Sequence, residues 1–158
     1  MSRRRKIPRV AGELVAIPLA DGERVGFGLV LEEPLMAFFD LSAKRDSMPS
    51  VEEIIRSPVA FKIWVMNQPI VDGLWPVLGK ADVPPDLAVA PWFFKQDAIS
   101  GKITVGRTGA EELQPMPGQL DALERAAVWS ASHVVDRLQD HFAGKPNKWV
   151  ISMRPKGQ

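Results

Sequence analysis

The chain has 158 residues, the length of one ordinary domain, and its 46% hydrophobic and 25% charged residues are typical of a globular protein. It contains no cysteine and two histidines, which excludes disulfide scaffolds, thiolate metal sites, cysteine nucleophiles and multi-histidine metal centres. The formal net charge of +1 conceals two basic ends, residues 2–9 and 145–158, and a body between them with a formal charge of −8.

The first part of the chain predicts three strands joined by short turns. These strands are expected at residues 12–19, 24–31 and 35–41. Asp21 and Gly22 mark the turn between the first two. Gly26 and Gly28 fall on one face of the second strand, where they permit sharp bending or the close approach of another segment. Bending at these glycines predicts a strongly curved sheet, up to a small, partly open barrel.

A short helix is predicted at residues 51–56. Ser50 and Glu53 form a capping box before it, and Pro58 ends it. The strands expected after this helix lie at residues 61–67, 73–79, 92–97 and 102–107, the last two as a hairpin. Pro76 places the second of these strands at the edge of a sheet, because proline cannot donate a hydrogen bond to a neighbouring strand.

A long helix is predicted over residues 119–143, because apolar residues recur there on one face. Pro117 and Gly118 precede it, and Gly144 follows it. A last strand is expected at residues 148–153. The predicted class is α+β, with a strongly bent antiparallel sheet packed against the long C-terminal helix.

The chain is expected to form a single domain, residues 10–158, after a basic arm, residues 1–9. The arm lacks the following apolar segment of about 7–15 residues that a secretory signal needs, so a cytoplasmic protein is expected. No apolar run reaches about 18 residues, so no membrane span is expected. The charges suit an anionic partner for the arm and a basic partner for the body, unless the basic ends only improve solubility.

Common motifs for nucleotide binding and nucleophilic catalysis are absent from the sequence. The glycine-rich stretch at residues 25–31 lacks the third glycine and the following helix of a dinucleotide-binding fingerprint. There is no phosphate-binding loop and no GxSxG pattern. His133 and His141 fall on one predicted helix, and no serine near them has an oxyanion loop. We therefore predict no catalytic residue, metal site or cofactor.

One face of the predicted long helix carries Trp129, with His133 and Asp136 close enough to contact each other. Three interpretations are open. Trp129 fills a second core layer, or Trp129 and Asp136 belong to a patch that binds a partner, or His133 acts as a base oriented by Asp136.

The order of several short motifs resembles one bacterial family. The motifs are Gly12, the AIPL of residues 16–19, Asp21-Gly22, Gly26-Phe27-Gly28, Phe38-Phe39-Asp40, the GLWPVLG of residues 73–79, and Ala127-Val128-Trp129. Through these motifs, residues 10–140 resemble the bacterial immunity-protein family numbered twenty-six.

The resemblance implies a protein that binds a toxin domain of bacterial competition and blocks it in the cell that produces it. A basic toxin domain, such as a nuclease, is the expected partner because the body of the chain is acidic. The expected contacts are acidic residues beside turns and strand ends, a partly exposed tryptophan as anchor, and two residues of the predicted helix. These are Glu32, Glu33, Asp40, Asp72 and Trp75, followed by Trp129 and Asp136.

Two other functions remain open at this point. Some relatives carry a phosphotriesterase label, so phosphoester hydrolysis is one alternative, although two histidines on one helix cannot form the binuclear metal cluster used by known enzymes of that kind. The other alternative is a small β-barrel that binds nucleic acid through the basic arm. A chelator or His133→Ala would abolish the first activity, and removal of residues 2–9 would abolish the second.

Overall fold

The computed structural model describes residues 6–157 and confirms the predicted α+β class. This part of the chain forms nine strands, five helices and one 3₁₀ turn. The strands are β1 (Glu13–Pro18), β2 (Arg24–Val30), β3 (Leu35–Lys44), β4 (Val59–Val65), β5 (Val77–Lys80), β6 (Phe93–Gln96), β7 (Ile103–Gly106), β8 (Glu124–Arg125) and β9 (Val128–Trp129). The helices are α1 (Val51–Arg56), α2 (Gln68–Val71), α3 (Pro85–Ala88), α4 (Ala131–Ala143) and α5 (Lys148–Ser152), and the 3₁₀ turn is Gln119–Ala122.

The larger sheet has six strands in the order β5-β1-β2-β3-β4-β9. Strands β1 to β4 pair as successive antiparallel neighbours, β5 runs antiparallel to β1, and β9 runs parallel to β4. Strand β5 is an outer strand, as Pro76 predicts. The sheet is open, with β5 and β9 at its two edges, so it does not close into a barrel.

Both faces of the larger sheet are covered by a hydrophobic core. On one face, Met36 and Phe38 of β3 belong to the same cluster as Leu138 of α4. On the other face, Phe39 clusters with Ile54 of α1. Successive residues of a strand point to opposite faces, so a strand between two cores is apolar throughout. This explains the nearly continuous apolar runs in the first part of the sequence.

The glycines of β2 allow close packing instead of closing a barrel. A Cβ atom on Gly26 would lie 3.2 Å from Cδ1 of Leu138 in α4. A Cβ atom on Gly28 would lie 3.2 Å from the side chains of Met36 and Phe38. Glycine at these positions therefore makes room for α4 and for the large side chains of β3.

The smaller sheet has the order β7-β6-β8. Strands β6 and β7 form the antiparallel hairpin that the sequence predicts. Phe94, Ile103 and Val105 form its buried cluster. At the hairpin tip, Asp97 Oδ1 accepts hydrogen bonds from the backbone N–H groups of Ile99 and Ser100, both at 2.8 Å.

The helix predicted over residues 119–143 is wrong in its first half. Helix α4 begins at Ala131, and the side chain of Ser130 caps it. The preceding segment forms the 3₁₀ turn and two short strands, and Trp129 pairs with Val65 of β4. Leu120 and Leu123 pack on the cluster of the smaller sheet, whereas Trp129 belongs to the core of the larger sheet, so their helix-like spacing arises without a helix.

The strand predicted at residues 148–153 is also wrong, because this segment forms α5. Asn147 Oδ1 accepts the backbone N–H groups of Trp149 and Val150, both at 3.1 Å, and so caps the helix. Asn147 Nδ2 donates to Asp140 Oδ2 of α4 at 2.9 Å. The same side chain thus starts α5 and attaches it to α4.

The helix predicted at residues 51–56 is confirmed at both ends as α1. Ser50 Oγ accepts the backbone N–H of Glu53 at 3.2 Å, as the capping box predicts. The strand predicted at residues 61–67 is confirmed as β4, which begins and ends two residues earlier.

Part of the predicted basic arm, residues 1–5, lies outside the described residues. The residues that follow lie against the larger sheet and α2. The backbone N–H of Ile7 donates to Val71 O at 3.0 Å. Among residues 6–157, no helix has the length and apolar character needed to cross a bilayer.

Candidate interaction site

Three segments that are distant in the sequence meet beside α2. They are residues 7–9, 32–34 and 65–74, and together they are called the α2 end. The guanidinium of Arg9 joins them by donating to Val65 O and Pro34 O, both at 2.7 Å, and to Asn67 Oδ1 at 2.9 Å. Burial lowers the pKa of Arg9, and the nearby Glu33 carboxylate opposes this effect.

Three of the predicted acidic residues lie exposed at the α2 end. Glu32 and Glu33 are in the turn between β2 and β3, and Asp72 follows α2. Asn67 Nδ2 donates to Glu33 Oε1 at 2.8 Å, and Gln68 Nε2 donates to Asp72 Oδ2. These amide donors are neutral and orient the carboxylates, and the Arg9 guanidinium is the cation near Glu33.

The exposure predicted for Trp75 is wrong. Its side chain is 3% exposed and packs edge-on against Phe38, with ring centroids 6.1 Å apart. Its backbone N–H donates to Pro69 O at 3.0 Å. In this conformation Trp75 is part of the core and does not offer a surface anchor. The preceding residue, Leu74, is 58% exposed instead.

Asp40 lies away from the α2 end, on β3 opposite α4. Its Oδ1 atom lies 2.8 Å from Nε2 of His141, and both side chains are partly exposed. This contact joins the sheet to α4. Asp40 is therefore not grouped with Glu32, Glu33 and Asp72.

The two predicted residues near the long helix also have contacts within the fold. Trp129 lies on β9 and is 2% exposed, which confirms the interpretation that it fills a core layer. Asp136 Oδ2 accepts a hydrogen bond from Trp149 Nε1 at 2.9 Å. The ring of His133 stacks on Trp149, with centroids 3.7 Å apart. Asp136 thus contacts Trp149 of α5, which does not fit the interpretation of an Asp136-oriented base.

A partly buried ion pair lies under the same helix. Arg137 donates to both carboxylate oxygens of Glu124, at 2.6 and 3.0 Å. The guanidinium of Arg137 also lies over the rings of Phe61 and Trp129. The pair therefore connects β8, α4 and the core.

Within residues 6–157, no three histidine, aspartate or glutamate side chains are grouped so that they could hold a metal ion. His133 and His141 both lie on α4, as the sequence predicts, and their rings contact Trp149 and Asp40. The two histidines therefore connect α4 to α5 and to β3.

The apolar part of the α2 end is not predicted by the sequence patterns. Ile7, Met66 and Leu74 are 40%, 49% and 58% exposed, respectively. Each lies beside a residue that turns or restrains the chain: Pro8, Asn67 and Gly73. An apolar residue beside a proline, asparagine or glycine indicates exposure at a turn. This local pattern does not show that the three apolar residues lie close together in the fold.

A family model described as Immunity protein 26 matches residues 10–103. The matched range contains Glu32, Glu33, Asp40 and Asp72, and ends before α4 and α5. It is shorter than the predicted resemblance, which extended to residue 140. Searches of curated proteins and of solved structures found no match. Since the family model covers more than half of the chain, the protein belongs to the immunity protein 26 family.

Proposed function

We propose that the protein binds a cognate toxin domain of bacterial competition and neutralises it by direct contact, in the cytoplasm of the cell that produces both. Membership of the immunity protein 26 family is the observation that carries this proposal. A protein that acts by contact needs an exposed surface, and the α2 end presents one with three carboxylates.

Charge supports a basic toxin domain as the partner. The body between residues 10 and 144 has a formal charge of −8. Opposite charges on two proteins accelerate their encounter and disfavour wrong partners. A nuclease domain fits this description because a protein that binds nucleic acid carries a basic surface. Asp40 contributes to the overall field, while Glu32, Glu33 and Asp72 are proposed to meet the toxin directly.

Co-expression with the product of the adjacent upstream gene tests the proposal. The C-terminal domain of that product is expressed alone and with this protein, and growth is measured. The purified pair is then examined for affinity and stoichiometry. We expect growth rescue and tight 1:1 binding. Absence of both rescue and binding would contradict the proposal for this pair.

Charge reversal then tests the role of the acidic turn. The double variant Glu32→Lys/Glu33→Lys should lower the association rate constant about tenfold at low salt, because it removes local attraction. A matched control, Glu23→Lys/Glu111→Lys, changes the net charge equally at two exposed acids outside the α2 end. The control should change the rate constant less than about threefold. Equal effects of the two variants would show that only net charge matters.

A further inference from the structure

We propose that Ile7, Met66 and Leu74 form the apolar centre of the toxin-binding surface at the α2 end. The partner would be a folded toxin domain that offers an apolar patch bordered by lysine or arginine. This inference rests on the proposed function and adds to it the surface and the type of contact.

Ile7 and Leu74 lie on adjoining chain segments. The backbone N–H of Ile7 donates to Val71 O at 3.0 Å. Its Cδ1 atom lies 3.4 Å from the position that a Cβ atom on Gly73 would occupy. Gly73, with a φ of +73°, directly precedes Leu74. The two exposed apolar side chains therefore belong to one local surface.

Met66 is attached to the same surface through Arg9. The guanidinium of Arg9 bonds to Val65 O and Asn67 Oδ1, the residues on either side of Met66. The backbone N–H of Met66 donates to Trp129 O at 3.0 Å, which fixes the end of β4 against β9. The segment carrying Met66 is thus fixed to the segment carrying Ile7.

The carboxylates of Glu32, Glu33 and Asp72 lie in the second and third segments of the α2 end, and Asp72 shares its segment with Met66 and Leu74. An apolar centre with a polar rim is the usual organisation of a protein interface. The charge of the rim decides between occupants. Two copies of this chain meeting symmetrically would place these carboxylates together, whereas a basic protein would be attracted to them.

The α2 end is also ordered before any partner binds. Arg9 crosslinks its three segments, and Asn67 and Gln68 orient two of its carboxylates. A surface that is already ordered loses less conformational entropy on binding than a flexible one. Exposed apolar side chains on such a surface contribute to affinity when a partner covers them.

Substitution of the centre by aspartate tests the inference. Ile7→Asp, Met66→Asp and Leu74→Asp should each raise the Kd for the toxin domain about tenfold or more, because a carboxylate would be buried in place of an apolar group. The matched controls are Ile99→Asp and Met116→Asp, which change more exposed residues outside the α2 end. The controls should change the Kd less than about threefold. Thermal unfolding of each variant verifies that it is folded.

Oxidative footprinting of the wild-type protein gives a second readout that needs no substitution. Exposed methionines react with peroxide, so Met66 and Met116 can be followed by mass spectrometry in the same sample. Binding of the toxin domain should slow oxidation of Met66 about fivefold and leave Met116 within about twofold of its original rate.

The outcomes separate this inference from the proposed function. If the wild type fails to bind or rescue, the proposed function fails. If it binds while the three aspartate variants bind equally well and Met66 stays reactive, the toxin uses another surface and this inference is overturned. A dimer that Leu74→Asp disrupts, with toxin affinity unchanged, would overturn it in favour of a second copy.

Discussion

The acidic residues of this protein are used differently at the α2 end and at the helices α4 and α5. Around α4, carboxylates join separate elements: Asp40 contacts His141, and Asp136 contacts Trp149. At the α2 end, Glu33 and Asp72 contact neutral amides of that same local surface. All four carboxylates are exposed, but the first two connect α4 to the sheet and to α5, whereas the other two bond within the α2 end.

This difference shows how to separate binding residues from structural ones in a chain rich in acids. A carboxylate between two elements has its hydrogen bonds satisfied within the fold, so its loss lowers stability. A carboxylate on an exposed turn contributes little to stability, and its charge remains available to a partner. Substitutions around α4 should therefore change the free energy of unfolding, and substitutions at the α2 end should change affinity.

The largest expected effect is on stability, at Trp129. Trp129→Ala removes a side chain that is 2% exposed and should lower the free energy of unfolding by about 4 kcal/mol. Urea denaturation followed by circular dichroism measures this change. A loss below about 1 kcal/mol would contradict the assignment of Trp129 to the core.

A smaller effect is expected at Asp136. Asp136→Ala removes the acceptor for Trp149 Nε1 and should lower the free energy of unfolding by about 1 kcal/mol, with the toxin Kd unchanged. Asp136→Asn retains an acceptor oxygen and should lose less. Weaker toxin binding by the folded Asp136→Ala variant would place α4 in the interface and remove the contrast between the two regions.

The smallest effect is expected at Asp97, which belongs to neither region. Hydrogen bonds from the backbone N–H groups of Ser100 and Ile99 hold the pKa of Asp97 below its ordinary value of 3.8. A lowered folded-state pKa stabilises the protein above the unfolded-state pKa, and this contribution is lost as pH falls through the folded-state pKa.

Asp97→Asn keeps an acceptor but removes the charge, so it isolates this contribution. The variant should be slightly less stable than the wild type at pH 7, and the difference should shrink as the pH falls below the ordinary aspartate pKa of 3.8 and through the lowered folded-state pKa. Thermal unfolding across this pH range measures it. A difference that is constant with pH would show that the charge of Asp97 has no part in stabilising the hairpin tip.

Local patterns were sufficient to predict the first part of the fold. Strands β1 to β3 follow from apolar runs around turn residues, and α1 follows from the capping box of Ser50 and Glu53. The segment before α4 was mispredicted because Trp129 pairs with β4, a contact between distant parts of the chain. At α5, the helix cap supplied by Asn147 is a local signal that favours a helix over the predicted strand.

The candidate site was predictable only in part. Turn positions correctly placed Glu32, Glu33 and Asp72 on the surface. Their grouping with Ile7 and Met66 depends on the contacts of Arg9 with residues far along the chain, which no local pattern shows. The burial of Trp75 likewise depends on packing against β3.

Hydrogen exchange of the wild-type protein with and without its toxin domain tests the central claim most directly, because it compares both regions in one experiment. Slower exchange is predicted for backbone amides of residues 32–35 and 65–74, with no change in residues 131–143. Protection confined to α4 and α5, with none at the α2 end, would contradict the account.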